Sequence, residues 1–194
     1  MRVFIAVIVL IFSFQSWTKA GEINEIEIEG MSVGESALNF YTETEIKERS
    51  KDYYKNKKFT PVQTDDFPFF EIYNAVDFDF KTGDKNYIIY SLSGIIRYEN
   101  KNISDCYKQQ DEIDKNISKI LTNFKREDKA TWKHDADPTG KSTFTDIYYE
   151  SDEGTLTITC YDFSKIQEEK GSTDYLSVMI SLNEWVSFMR SNPY

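Results

Sequence analysis

Two spacings of apolar residues alternate along the chain, and each change from one to the other marks an element. In Glu25-Ile26-Glu27-Ile28-Glu29 apolar and acidic residues alternate with period two, which predicts a half-buried strand with the isoleucines on one face. Gly30 and Gly34 then supply turn chemistry, and Ser36 to Tyr41 reads as helical. Thr42 and Glu45 stand at capping-box spacing, which opens a second helix to about Ser50.

From Phe59 to Tyr98 the pattern is β-rich. Ala75 to Phe80 alternates strictly, Thr82-Gly83-Asp84-Lys85 can turn, and Tyr87 to Tyr98 returns as a long strand, bulged at Gly94. Ile103, Cys106, Gln110, Ile113, Ile117, Ile120, Leu121 and Phe124 recur at helical spacing, so a helix capped by Ser104 is expected to run to about Arg126. Strands follow at about 129–135, 142–150, 155–163 and 175–182, with a final helix at 184–191. Asp137-Pro138-Thr139-Gly140 and Asp152-Glu153-Gly154 join them as hairpins. The expected fold is α+β: a mostly antiparallel sheet of hairpins with two or three helices packed on one face. A helix-then-meander order occurs in both halves, as an old duplication would leave it.

The first twenty residues follow a different logic. Arg2, the unbroken apolar run Val3 to Phe12 and the small-x-small triplet Thr18-Lys19-Ala20 read as a signal peptide, cleaved near Ala20. Residues 21–194 then form a single domain with no integral membrane segment, destined for the periplasm or secretion. Of 194 residues, 23 are basic and 33 acidic; loss of Arg2 and Lys19 with the leader takes the formal charge from −10 to −12. Nucleic acid and anionic membrane both reward a basic face, so neither is an expected partner. Lys51, Lys55, Lys57 and Lys58 around Tyr53 and Tyr54 read as a solvated helix end before a strand.

Export also bears on the two cysteines, Cys106 and Cys160. Each lies on the apolar face of its element, so both point into one core. An even count in an oxidising compartment then predicts a Cys106–Cys160 disulfide, with two buried thiols as the other reading. One His and two Cys cannot by themselves complete a tetrahedral zinc site, and no cofactor is expected.

Three constellations carry candidate chemistry. Gly30-Met31-Ser32-Val33-Gly34 matches a nucleophile elbow with His134 as its only possible base, and a small hydrolase would use either Ser32 or acids near His134; too little chain precedes the elbow for the strands and oxyanion loop of that fold, and a glycine-shaped turn with Ser32 or Ser36 as helix cap is the competing reading. Asp135, Asp137, Thr139, Gly140 and Asp146 have the spacing of a calcium loop, yet strands flank it, Pro138 sits inside it, and a plain hairpin turn needs the same residues. Asp77 and Asp79 share a strand face as paired catalytic acids can, but alternation places them on a wet outer face where no pKa is raised.

Gly30-Met-Ser-Val-Gly-Glu-Ser36, Lys58-Phe-Thr-Pro-Val62, Asp84-Lys-Asn-Tyr87, Cys106-Tyr107 and the run His134 to Thr143 together resemble, in order and spacing, an uncharacterised family of small exported proteins from streamlined marine alphaproteobacteria. That resemblance implies export and one shared fold without a chemistry. The opening strand, turn and helix are also similar, over a short stretch, to small α+β periplasmic domains that bind other proteins, such as envelope-assembly accessory and β-lactamase-inhibitor-like domains. Three tryptophans, 13 tyrosines and 14 phenylalanines give a recognition surface ample material. The expectation is a non-enzymatic binding or envelope-accessory module whose partner is an envelope or periplasmic protein.

Overall fold

A computed structural model of the chain describes residues 22–65, 67–98 and 102–191; the signal-peptide reading of residues 1–20 lies outside them. Seven strands form one antiparallel sheet: β1 (Phe59–Asp65), β2 (Ala75–Lys81), β3 (Ile89–Arg97), β4 (Lys125–Lys133), β5 (Thr143–Glu150), β6 (Gly154–Asp162) and β7 (Tyr175–Leu182). Their spatial order is β1-β2-β3-β7-β6-β5-β4, so two meanders meet along the β3–β7 pair. The helices are α1 (Glu43–Arg49), α2 (Ile103–Ile117), the short α3 (Lys165–Glu168) and α4 (Asn183–Arg190).

Antiparallel pairing with period-two side chains explains the first face. Val62, Phe78, Leu92, Ile180, Leu156 and Tyr149 stand opposite one another in a single row across six strands, each at most 1% exposed. Each contributes roughly 1.5–3 kcal/mol of burial, and α1 and α2 cover the row. Helix α2 carries the chain from β3 across this face to the far edge, and the Cys106–Cys160 disulfide ties it to β6 at a Cα separation of 6.0 Å. Gln110, also fully buried, donates its amide to the carbonyls of Thr145 and Ile158. Asp114 receives Nε and Nη2 of Arg126 at 2.9 and 3.0 Å, fastening the end of α2 to β4.

Several expected boundaries move for identifiable reasons. Residues 25–29 form no strand: a 3₁₀ turn at Ile23–Glu25 leads into a tight turn in which Glu29 and Gly30 have φ of 51° and 76°, closed by mutual bonds between Ile28 and Met31. The isoleucines are sequestered as the alternation requires, but with no neighbouring strand to pair. The helix expected to reach Arg126 ends at Ile117, after which turns bury Leu121 and Phe124 and β4 begins at Lys125. Its cap is Asn102, whose side chain accepts from the Ser104 amide. The β2–β3 bulge lies where Asp79 pairs with Ser91 and Phe80 with Ile89, not at Gly94. Gly94 is required for another reason: a Cβ there would lie 2.5 Å from Cε1 of the Tyr73 ring.

Two helices pack on one face as expected, and α4 lies on the other. Trp185, Val186 and Phe188 of α4 pack with Tyr54 and Phe59, against Tyr90, Met179 and Met189. Glu184 in its first turn receives both Lys58 at 3.1 Å and Lys81 at 2.8 Å. The lysine-rich stretch 51–58 is a loop after α1 rather than a helix end; Lys51, Lys55, Lys57 and Lys58 are exposed as expected, while Tyr54 is buried beneath α4.

Candidate functional site

The second face of the sheet is unlike the first. Its rows read Gln63-Asp77-Ser93-Met179-Thr157-Tyr148-Glu127, then Asp65-Ala75-Ile95-Ser177-Thr159-Asp146-Ala130, then Arg97-Tyr175-Tyr161-Phe144-Trp132. The last is an aromatic row in register over β7, β6, β5 and β4. Tyr161 stacks on Tyr175 at 4.3 Å between ring centroids, and Phe144 lies 5.9 Å from Tyr161. At the β4 edge Trp132 remains 55% exposed.

Helix α4 covers only part of this face. Between α4 and the β4–β5 edge an open trough of about 680 Å³ remains, floored by Ala130, Thr155 and Thr157, with the side chains of Trp132, Phe144, Tyr148, Met179, Val186 and Met189 among those lining it. Four carboxylates reach it, from Glu127, Asp128, Asp146 and Glu150, against one guanidinium, that of Arg190. Asp146 accepts from the Trp132 indole at 3.1 Å, and its carboxyl is pushed up by burial, with the Glu127 charge adding to the effect.

The acids of β2 depart furthest from the sequence expectation. Asp79 lies beneath α4, accepting from the Tyr54 hydroxyl at 2.9 Å, and burial raises its pKa to about 6. The buried Trp185 indole N–H has no aligned hydrogen-bond partner among the described residues, yet it is close enough to Asp79 to offset part of that rise, as the Tyr54 hydroxyl does. Asp77 is raised to about 7, by burial first and the Asp65 charge second. The wet outer face inferred from alternation is thus a half-covered one. Strand alternation locates a side chain on a face without saying what covers that face; the apolar Trp185, Val186 and Phe188 in the last helix were the available signal.

Ser32 and His134 are not brought together. Gly34 donates its amide to the Ile89 carbonyl, placing the Gly30–Gly34 turn at the start of β3. His134 follows β4, four strands away, or roughly 19 Å across the sheet, and beyond the far end of β3, roughly 27 Å along it. The glycines shape a turn, and Ser36 caps the next one by accepting from Leu38. The His134 ring packs on Phe163 and Tyr161, and its Nδ1 accepts from the Ala136 amide.

The 135–146 stretch is organised around one carboxylate. Asp137 is buried and accepts from the amide and hydroxyl of Thr139, the amide and hydroxyl of Ser142, the Ser164 hydroxyl and the Gln167 amide. The Ser142 and Thr139 bonds hold its pKa far below the usual carboxylate range. Thr139 spends its hydroxyl on Asp137, and Asp146 lies within β5, opposite Ala130. No group of three or more His, Cys, Asp or Glu side chains among the described residues converges as metal ligands. The loop is a hairpin built on Asp137.

No family model, no curated protein and no solved structure matches the chain.

Proposed function

We propose that the protein is a non-enzymatic, exported binding module, working in the periplasm or beyond as an envelope-accessory protein, and that its recognition surface is the open part of the second sheet face. The observation that carries this reading is the trough beside α4, where the exposed Trp132 continues an aromatic row spanning four strands. Concave, largely apolar sites with a few placed polar groups are where proteins take ligands, and exposed aromatics supply contact area at low entropic cost. The intramolecular disulfide fits an oxidising compartment, and no described helix is long and apolar enough to cross a membrane.

In-cell cross-linking of the tagged protein, followed by capture and mass spectrometry, tests this reading when wild type and Trp132→Ala are run side by side. The expected result is a dominant envelope protein that is lost from the variant. A captured set unchanged by Trp132→Ala would remove the second face as the recognition surface.

A further inference from the structure

Within the trough, the β4 bulge produces a cup. Glu127 stands opposite Tyr148 and Ala130 opposite Asp146, so two residues of β4, Asp128 and Lys129, face the single Ile147 of β5. The small Ala130 side chain leaves a low spot beside the Asp146 carboxylate. Trp132 and Phe144 rise on one side of it, Tyr148 and Glu127 on the other.

Among the described residues no basic side chain pairs with Asp146; its side-chain partner is the Trp132 indole, while Lys125, Arg126 and Arg190 are engaged with Glu127, Asp114 and Glu150 respectively. Aromatic ring faces attract cations, and a desolvated carboxylate binds a guanidinium or ammonium through charge-assisted hydrogen bonds. Glu127, Asp128 and Glu150 along the trough each have a cationic partner, which leaves Asp146, without a basic one among the described residues, as the carboxylate that a cation from outside would complement. Beyond the cup the lining turns apolar, with Met179, Val186 and Met189, and the volume far exceeds one cationic group.

We infer that the Ala130–Asp146 cup takes a lysine or arginine side chain from an extended segment of a partner protein, with apolar neighbours of that side chain lying against Met179 and Val186. This rests on the binding-module reading and names the chemistry of its partner.

The test uses the protein as the cell produces it, with the disulfide intact, and an acetylated, amidated Gly-Leu-Arg-Leu-Gly peptide, its Gln-for-Arg counterpart and tetramethylammonium chloride, read on the Trp132 indole N–H resonance. A saturable shift with the arginine peptide is expected, weakened about tenfold by the Gln counterpart and by Asp146→Asn, which preserves volume and the acceptor for Trp132. Glu127→Gln, at an exposed rim position, weakens it less and guards against misreading a folding defect. Equal binding of the two peptides, indifference to both substitutions, or a response to tetramethylammonium alone would overturn the inference. The two proposals fail separately: a Trp132-dependent cross-link without arginine-peptide binding discards the cationic side chain and retains the face, whereas peptide binding at the cup with Trp132-independent cross-linking retains the cup and discards the face as the cellular interface.

Discussion

The Tyr54 hydroxyl donates to Oδ1 of Asp79 at 2.9 Å beneath α4, joining the loop after α1 to the floor of the second sheet face. The bond supplies part of what water would have given the carboxylate, and burial still raises Asp79 to about 6.

Stability is therefore expected to increase as pH falls from 8 toward 5. Asp77 and Asp79 titrate at about 7 and about 6 in the fold, against roughly 3.9 unfolded. Over that interval the native state binds more protons than the unfolded state, so acidification favours it. Below about pH 4 the gain is complete, and carboxylates with lowered pKa, Asp137 and Glu184 among them, begin to lose theirs. Asp79→Asn keeps the acceptor for Tyr54 and is expected to gain on the order of 1–3 kcal/mol at pH 8 and nothing near pH 4. Thermal melts of both proteins across this range check it; parallel curves would show that Asp79 is not the source.

Both cysteines are fully buried, and the disulfide closes a loop with a sequence separation of 54. Replacing both by alanine is expected to cost about 2–5 kcal/mol in urea unfolding. Because reductant has no access to the sulfurs in the native state, loss of the disulfide in dithiothreitol should proceed at the rate of opening. Rapid, urea-independent reduction would contradict the buried geometry.

Asp137→Ala removes the acceptor for six donors and is expected to lower the melting temperature and speed amide exchange across 134–142, whereas Asp135→Ala, at an exposed position, leaves both unchanged. Since the Asp137 oxygens are already satisfied by protein donors, millimolar calcium and chelator should leave the wild-type melt where it was. A calcium-dependent rise would restore the metal-loop reading.

Glu29, held at positive φ, accepts from the consecutive amides of Glu71, Ile72 and Tyr73 at 2.7–2.9 Å. Glu29→Ala is expected to cost about 1–3 kcal/mol and to free those three amides, which lie in the segment before β2, for exchange ahead of the sheet. Tyr73 covers Gly94, so loss of near-ultraviolet signal from this aromatic region should accompany it.

Local chemistry alone specified α1, β7 and the β2–β3 hairpin, and it put both cysteines on apolar faces. The Thr42–Glu45 box, strict alternation and helical recurrence of apolar residues each act within a few neighbours, whereas the choice between a disulfide and two buried thiols rested on the compartment and is closed by the Cys106–Cys160 bond in the structure. Residues 25–29 carried the same alternation as β2 and still formed no strand, because a ladder needs a partner edge that no local pattern supplies. Only the tertiary structure decided that α4 crosses to the second face, burying Asp79, and that Trp132, Phe144, Tyr161 and Tyr175 stand in one row. Those facts depend on strand order and register, which are set by long-range pairing of β3 with β7 and by the α2 crossover to β4. The sequence displayed the aromatic residues and acids; the pairing of distant strands assembled them into a site.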